Sequence, residues 1–361
     1  MFMKTKLNLI QIGLLLLALP TTVQAQFSFT TNNGTITITG YTGSGGAVTI
    51  PDTINGLPVT SIGDYAFWTN STVTSVSIGN SVTSIGLAAF YECPNLTSVS
   101  MGTNVTLISR YAFLNCHNLT NLNIPNSVTY IGVNAFASCS LTSITIPNNV
   151  TYLGSGAFLE CTSLTNAIIG TNITSINEAT FAYCYGLTRI IIPNSVNNIG
   201  DSAYYYCSYL TRVTIGNSVT NIGNHAFDFC FNLRSICFQG NAPATVGVLA
   251  FFSSHTVAYY LPGTTGWTQF AHIAFLPTML WNPQVQNDSS FGVQANQFGF
   301  NITGSSNLVL VVEACTNFAN PVWQPVGTNT LNTIIGTKGS SYFSDPQWTN
   351  YPARFYRIRT P

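Results

Sequence analysis

Phe67, Phe90, Phe113, Phe136, Phe158, Phe181, Tyr204 and Phe227 recur at spacings of 23, 23, 23, 22, 23, 23 and 23 residues. Three residues after each stand Asn70, Cys93, Cys116, Cys139, Cys161, Cys184, Cys207 and Cys230. Such a period restricts the chain to a stack of one structural unit, because a single repeat cannot bury its apolar face while stacked repeats share a continuous core. Full units begin at Val73, Leu96, Leu119, Leu141, Leu164, Leu187 and Leu210, and read approximately L-T-x-I-x-I-P/G-N-S-V-T-x-I-G-x-x-A-F-x-x-C-x-x. The fourth and sixth positions, as in Ile144 and Ile146, lie two residues apart and so point to one face of a short strand. A Pro or Gly then ends the strand, as Pro125 and Gly170 do. Val128 and Ile131 turn back inward, and Ala112 to Cys116 supplies the opposite wall. That stretch is too short for a stable helix and predicts a single turn or a brief strand. The fold class is therefore a β-solenoid of short parallel strands, its coils about 4.8 Å apart.

The units resemble the BspA-type, or Treponema pallidum-type, leucine-rich repeats of bacteria. Leu119-Thr120-Asn121-Leu122-Asn123-Ile124-Pro125-Asn126-Ser127-Val128 and Ala135-Phe136-Ala137-Ser138-Cys139 carry the likeness, and Val48-Thr49-Ile50-Pro51 resembles the usual entry to such arrays. It spans roughly residues 27–275, about two-thirds of the chain. The resemblance implies a secreted or surface protein that binds other proteins or cells, and it implies no catalysis.

Stacking also accounts for the scarcity of charge. Only 10 basic and 10 acidic side chains occur among 361 residues. A charge repeated in every coil would face its own copy about 4.8 Å away and be repelled. With net charge +0, a nucleic-acid groove lined by Lys and Arg is excluded, and the 46% hydrophobic content excludes disorder of the bulk. At the N-terminus Lys4 and Lys6 precede an apolar run, Leu7 to Leu19, and Val23-Gln24-Ala25 resembles a cleavage site. This order predicts a secretory signal peptide over residues 1–25, cleavage near Ala25, and an extracellular or cell-surface location without a transmembrane segment.

Nine cysteines in an exported chain invite a disulfide framework. Seven of them, however, occupy one position of consecutive coils, where parallel Cβ atoms about 4.8 Å apart exceed the roughly 3.8 Å of a disulfide. Buried thiols are the expectation there, with Cys237 facing outward and Cys315 alone. Neither metal-ligand spacing nor a nucleophile or phosphate motif is present, so no cofactor, no metal and no enzymatic activity are expected. His117, His225, His255 and His272 form no spaced pair with a carboxylate or with one another, and His117 and His225 read as surface decoration.

Partner-binding candidates fall on two columns. Outward strand positions are small and polar early on (Ser75, Ser98, Asn121) but later include Ile168, Arg189, Ile191 and Arg212, with Arg234 nearby. Arg beside exposed Ile is the composition of interface cores. The residue before each Cys changes from Glu92, Asn115, Ser138 and Glu160 to Tyr183, Tyr206 and Phe229. These aromatics fit docking of the chain's own C-terminal region, an external ligand (a sugar ring stacked or a protein packed against them), or ordinary surface.

Residues 26–72 read as a capping region with the first coil, 73–278 as the repeats with their C-terminal cap, and 279–361 as a small antiparallel β-sandwich. In the last, Phe298 to Ile302, Leu308 to Ala314 and Arg354 to Arg359 are the strand signals. Trp323 and Trp348 are candidate anchors of its core, and the closing arginines fit an edge strand or a sorting signal. Together these features predict a non-enzymatic secreted or surface protein whose repeats bind a protein or cell-surface partner, in the extracellular matrix or on a cell. An extracellular carbohydrate-binding protein, using the aromatic column or the C-terminal module, is the alternative.

Overall fold

The computed structural model describes residues 26–305, 308–333 and 338–360, and the leader expected over residues 1–25 lies outside them. The fold is a β-solenoid with, after it in sequence, a small antiparallel β-module. The chain divides into two compact units, residues 1–185 and 186–361.

In the first unit a hairpin, Phe27–Asn32 with Thr35–Tyr41, opens the stack. Its second strand pairs in parallel with Leu57–Ile62, while Gly46–Ile50 pairs in parallel with Val73–Ile78. Each later coil adds one inner strand and one two-residue strand. Val73–Ile78, Ser98–Ser100 and Asn121–Asn123 place Ser75, Ser98 and Asn121 side by side. Ser84–Ile85, Leu107–Ile108, Tyr130–Ile131 and Tyr152–Leu153 form the second ladder. Alternation does the sorting: Val76, Val99 and Ile144 are buried, and Ser77, Ser100 and Thr145 between the coils' turns are exposed.

The A-F-x-x-C segments form neither helix nor strand but a wall of successive turns. Alternate peptide groups serve two purposes there. The N–H groups of Tyr111, Phe113 and Asn115 donate to the carbonyls of Val133, Ala135 and Ala137 in the next coil, at 2.9, 2.8 and 3.0 Å. Ala112, Leu114 and Cys116 instead donate to the carbonyl three residues back, closing the turns. Behind this wall the rings of Phe67, Phe90, Phe113, Phe136, Phe158 and Phe181 stack 4.7 to 5.6 Å apart, at 2 to 17° between planes. Each such pair adds about 0.5–1.5 kcal/mol beyond its buried area.

The cysteine column has a hydrogen-bonding role. Cys93, Cys116, Cys139, Cys161 and Cys184 each donate from Sγ to the carbonyl of the preceding coil's Phe, at 3.0 to 3.2 Å. A thiol is small and apolar enough for the core, yet carries a donor for that carbonyl. Burial pushes the Cys139 and Cys184 thiols up and brings Cys161 to about 12. Threonines stitch the coils outside: Thr97 Oγ1 donates to the Thr74 carbonyl at 2.9 Å, and Thr106 Oγ1 to that of Thr83 at 3.1 Å.

In the second unit Arg189–Ile192, Arg212–Ile215, Ser235–Phe238, Val257–Tyr260 and Thr278–Leu280 form one parallel sheet. The helix Trp267–Ala274 closes its core, with Phe270 against Phe238 and Trp267 stacked on Tyr260 at 4.8 Å. Two antiparallel sheets follow. Gln297–Ser305 and Lys338–Asp345 are the long pair of one, and Val309–Cys315 lies between Gln324–Thr330 and Phe355–Arg359 in the other. Phe300, Ile302, Leu310, Val312, Leu331 and Phe343 fill the space between them. The two tryptophans expected to anchor this core do not. Trp323 precedes its strand and lies under the Arg357 guanidinium at 4.4 Å, and Trp348 sits in a short 3-10 turn, its Nε1 donating to the Asn296 carbonyl. The alternation of Phe298–Gly299–Phe300 and Tyr342–Phe343 puts phenylalanines on the inner face instead.

Candidate binding surfaces

The inner-strand face of the first unit is polar and exposed. Ser77, Ser100, Asn121, Asn123, Ser143 and Asn166 stand exposed on it, and the early coils line a shallow groove of about 520 Å³. Ile168 ends this row and is 53% exposed.

In the second unit the same face changes within a few rungs. Arg189 is exposed and Ile191 is 66% exposed; parallel register places Arg212 and Thr214 beside them. From Arg212 onward the face is covered by the C-terminal module. Cys237, at the fifth position of its coil, points outward as its spacing requires, but what it meets is Thr360, Sγ to Oγ1 at 3.1 Å. One rung further, Tyr259 is buried in the module's core cluster, with Met279 and Trp281 packed against it. Burial lowers Arg212 to about 10, helped by the neighbouring positive charge of Arg359. Burial pushes Glu313 up, but hydrogen bonds and charge from Arg359 and Arg357 outweigh it and hold its carboxyl below the usual range. The three arginines that the repeat pattern groups thus have different surroundings: Arg189 and Arg234 are exposed, whereas Arg212 is half-buried under the module.

The aromatic column lies on the turn wall. Tyr183, Tyr206 and Phe229 are half-buried and all adopt left-handed backbone, φ 59, 59 and 57°. So do Asn115, Ser138 and Glu160 at the equivalent positions, so the conformation belongs to the repeat. Asn suits it, whereas a bulky ring is sterically disfavoured there. In the second unit Tyr206 stacks on Phe229 at 5.2 Å, and Phe231 and Tyr205 meet Phe229 edge-on at 5.7 and 5.5 Å. In the first, Tyr183 meets Tyr185 at 6.2 Å.

One pairing runs against the sequence reading. His225, expected as decoration with no carboxylate partner, has Nδ1 2.9 Å from Oδ2 of buried Asp228, which also accepts the Phe229 N–H at 2.8 Å. The turn wall folds positions three apart onto one another, so the His225–Asp228 spacing was the available signal. Among the described residues no group of three or more His, Cys, Asp or Glu is placed to hold a metal ion, and no helix is long and apolar enough to cross a membrane.

The family model described as BspA type leucine rich repeat region matches residues 46–158 and 131–258, in 6 copies. No curated protein matches the chain. Among solved structures, a leucine-rich repeat protein of T. pallidum is 29% identical, with 58% of this chain and 88% of that one covered, at a TM-score of 0.47. A leucine-rich repeat protein from Bacteroides ovatus is 23% identical over 71% of this chain and 98% of that one, TM-score 0.39. A leucine rich cell surface protein from Faecalibacterium prausnitzii is 23% identical over 71% and 93%, TM-score 0.33.

Proposed function

We propose, from the premise that this chain belongs to the BspA-type leucine-rich-repeat family, that it is an exported, non-enzymatic interaction protein whose repeats engage a protein on a cell surface or in the extracellular matrix. Members of this repeat class serve as protein-interaction scaffolds. The observation that carries the reading is the open rung of Arg189 and Ile191. An isoleucine 66% exposed beside an exposed arginine lies next to rungs whose face already holds a folded protein surface, the C-terminal module. Arg and a large apolar side chain at the centre of a patch are what interface cores favour. Arg234 is a further exposed cation of the same unit.

Intact cells and a panel of purified matrix proteins are the probes. The double variant Arg189→Glu/Ile191→Ser should lose tenfold or more in affinity with an unchanged melting temperature, because both side chains are exposed. Undiminished binding by that variant contradicts the reading. A second reading, glycan binding through the Tyr206–Phe229 stack, is favoured by aromatics held in a backbone conformation that disfavours them. Tyr206→Ser with Phe229→Ser would remove glycan binding and leave the protein partner bound.

A further inference from the structure

The repeat is one residue short in one place, and a groove lies there. Every other corner between wall and inner strand has two residues between Cys and the next apolar position, as in Cys116-His117-Asn118-Leu119, whereas Cys139-Ser140-Leu141 has one. In three of the six regular corners an Asn fills the second position and bridges to the coil before, including both corners that precede the short one: Asn95 Nδ2 donates to the Ser71 carbonyl and Asn118 Nδ2 to that of Pro94, both at 2.7 Å. The short corner lacks that side chain, and Ser140 Oγ instead donates to the carbonyl of His117. Around this notch runs a groove of about 540 Å³, within the range of small-molecule clefts.

We propose that this groove, lined by His117, Ser140, Glu160, Thr162, Tyr183 and Tyr185, binds a neutral saccharide. Its polar chemistry is rich in acceptors. His117 Nδ1 lies 3.0 Å from the Ser138 carbonyl oxygen, which can only accept, so Nδ1 carries a hydrogen, and in the neutral imidazole Nε2 is the acceptor. Glu160 is held by the Ser138 hydroxyl, Oγ to Oε2 at 3.0 Å, and keeps carboxylate lone pairs for further donors. Neighbouring hydroxyls of a pyranose supply such donors, and Ser140 and Thr162 offer hydroxyls that donate or accept. Tyr183 and Tyr185, at 83° to each other, present ring surfaces for the apolar C–H face of a sugar. Neither Lys nor Arg is among the groove's residues, which disfavours phosphorylated or carboxylated sugars. The site lies wholly within the first unit and uses neither Arg189 nor Ile191, so its failure leaves the protein-partner reading standing.

The mature full-length chain should first be screened on an array of neutral glycans and a bound glycan then titrated by calorimetry. At least one neutral glycan should bind. Tyr185→Ser and Glu160→Gln should each weaken it tenfold or more without lowering the melting temperature appreciably. Insertion of one Asn between Ser140 and Leu141 restores the regular corner and should abolish binding while leaving every proposed contact residue in place. The proposal is overturned if no glycan binds, or if affinity survives both substitutions. Binding of Nα-acetyl-lysine amide or Nα-acetyl-arginine amide in place of any glycan also overturns it, making the groove a cation pocket.

Discussion

The inner-strand face is open in the first unit and largely closed in the second, although the interiors behind the two faces are built alike. Phe113 and Phe136 stack at 5.3 Å in one, Tyr204 and Phe227 at 5.1 Å in the other, and the thiol-to-carbonyl bond of Cys139 to Phe113 has its counterpart in Cys230 to Tyr204. What differs is the pair of outward strand positions. Ser, Asn and Thr there leave a face with nothing to gain from being covered. Cys237, Tyr259 and Met279 present apolar area that the C-terminal module removes from water, at about 25 cal/mol for each Å². The interior thus sets the fold, and two positions per coil decide what each face is for.

Interior substitutions should act alike in both units. Phe136→Ala and Phe227→Ala should each cost about 3–5 kcal/mol in chemical denaturation, since both remove a fully buried ring from a stacked column. A much smaller loss in one unit would mean that its column is not the source of its stability. Tyr259→Ser should cost about 2–4 kcal/mol and release the module, seen as faster proteolysis near residues 281–284, with parallel-strand hydrogen exchange in the first unit unchanged.

The thiol ladder gives an intermediate effect with a defined sign. Burial raises Cys139, Cys161 and Cys184 above the ordinary 9.0, Cys161 to about 12. The folded state therefore holds protons that the unfolded state releases. For Cys161 the stabilisation is complete below pH 9 and is lost as pH rises towards about 12, by about 1.4 kcal/mol per pH unit, and Cys139 and Cys184 add losses of the same sign. Melting temperature should be flat up to pH 9 and then fall, less steeply in Cys161→Ala, which itself should cost about 1 kcal/mol at neutral pH. The smallest effect belongs to the open face: Ser100→Ala should change stability by no more than about 0.5 kcal/mol.

The period, the aromatic column and the cysteine rung were legible because each repeats and must therefore lie on a line. The alternation also placed Cys237 outward correctly. Its neighbour there was not legible, because Thr360 lies 123 residues away and no period links them. Docking of the chain's own C-terminal region was expected on the aromatic column as one of three options; the module instead covers strand positions at Cys237 and Tyr259. Left-handed backbone before each Cys was hidden as well, since Asn115 signals it but Tyr183 does not. The 22-residue interval was visible as an irregularity, but the groove beside it depends on side chains from four coils that only the stack brings together.

Thiol alkylation followed by mass spectrometry tests the closed face most directly. In the native protein Cys237 should be alkylated slowly, as slowly as a half-buried thiol under the module demands, and Tyr259→Ser should make it react at least tenfold faster while Cys139 and Cys161 stay protected. Rapid alkylation of Cys237 in the wild-type protein, with the ladder thiols still protected, would show that the module does not cover that face.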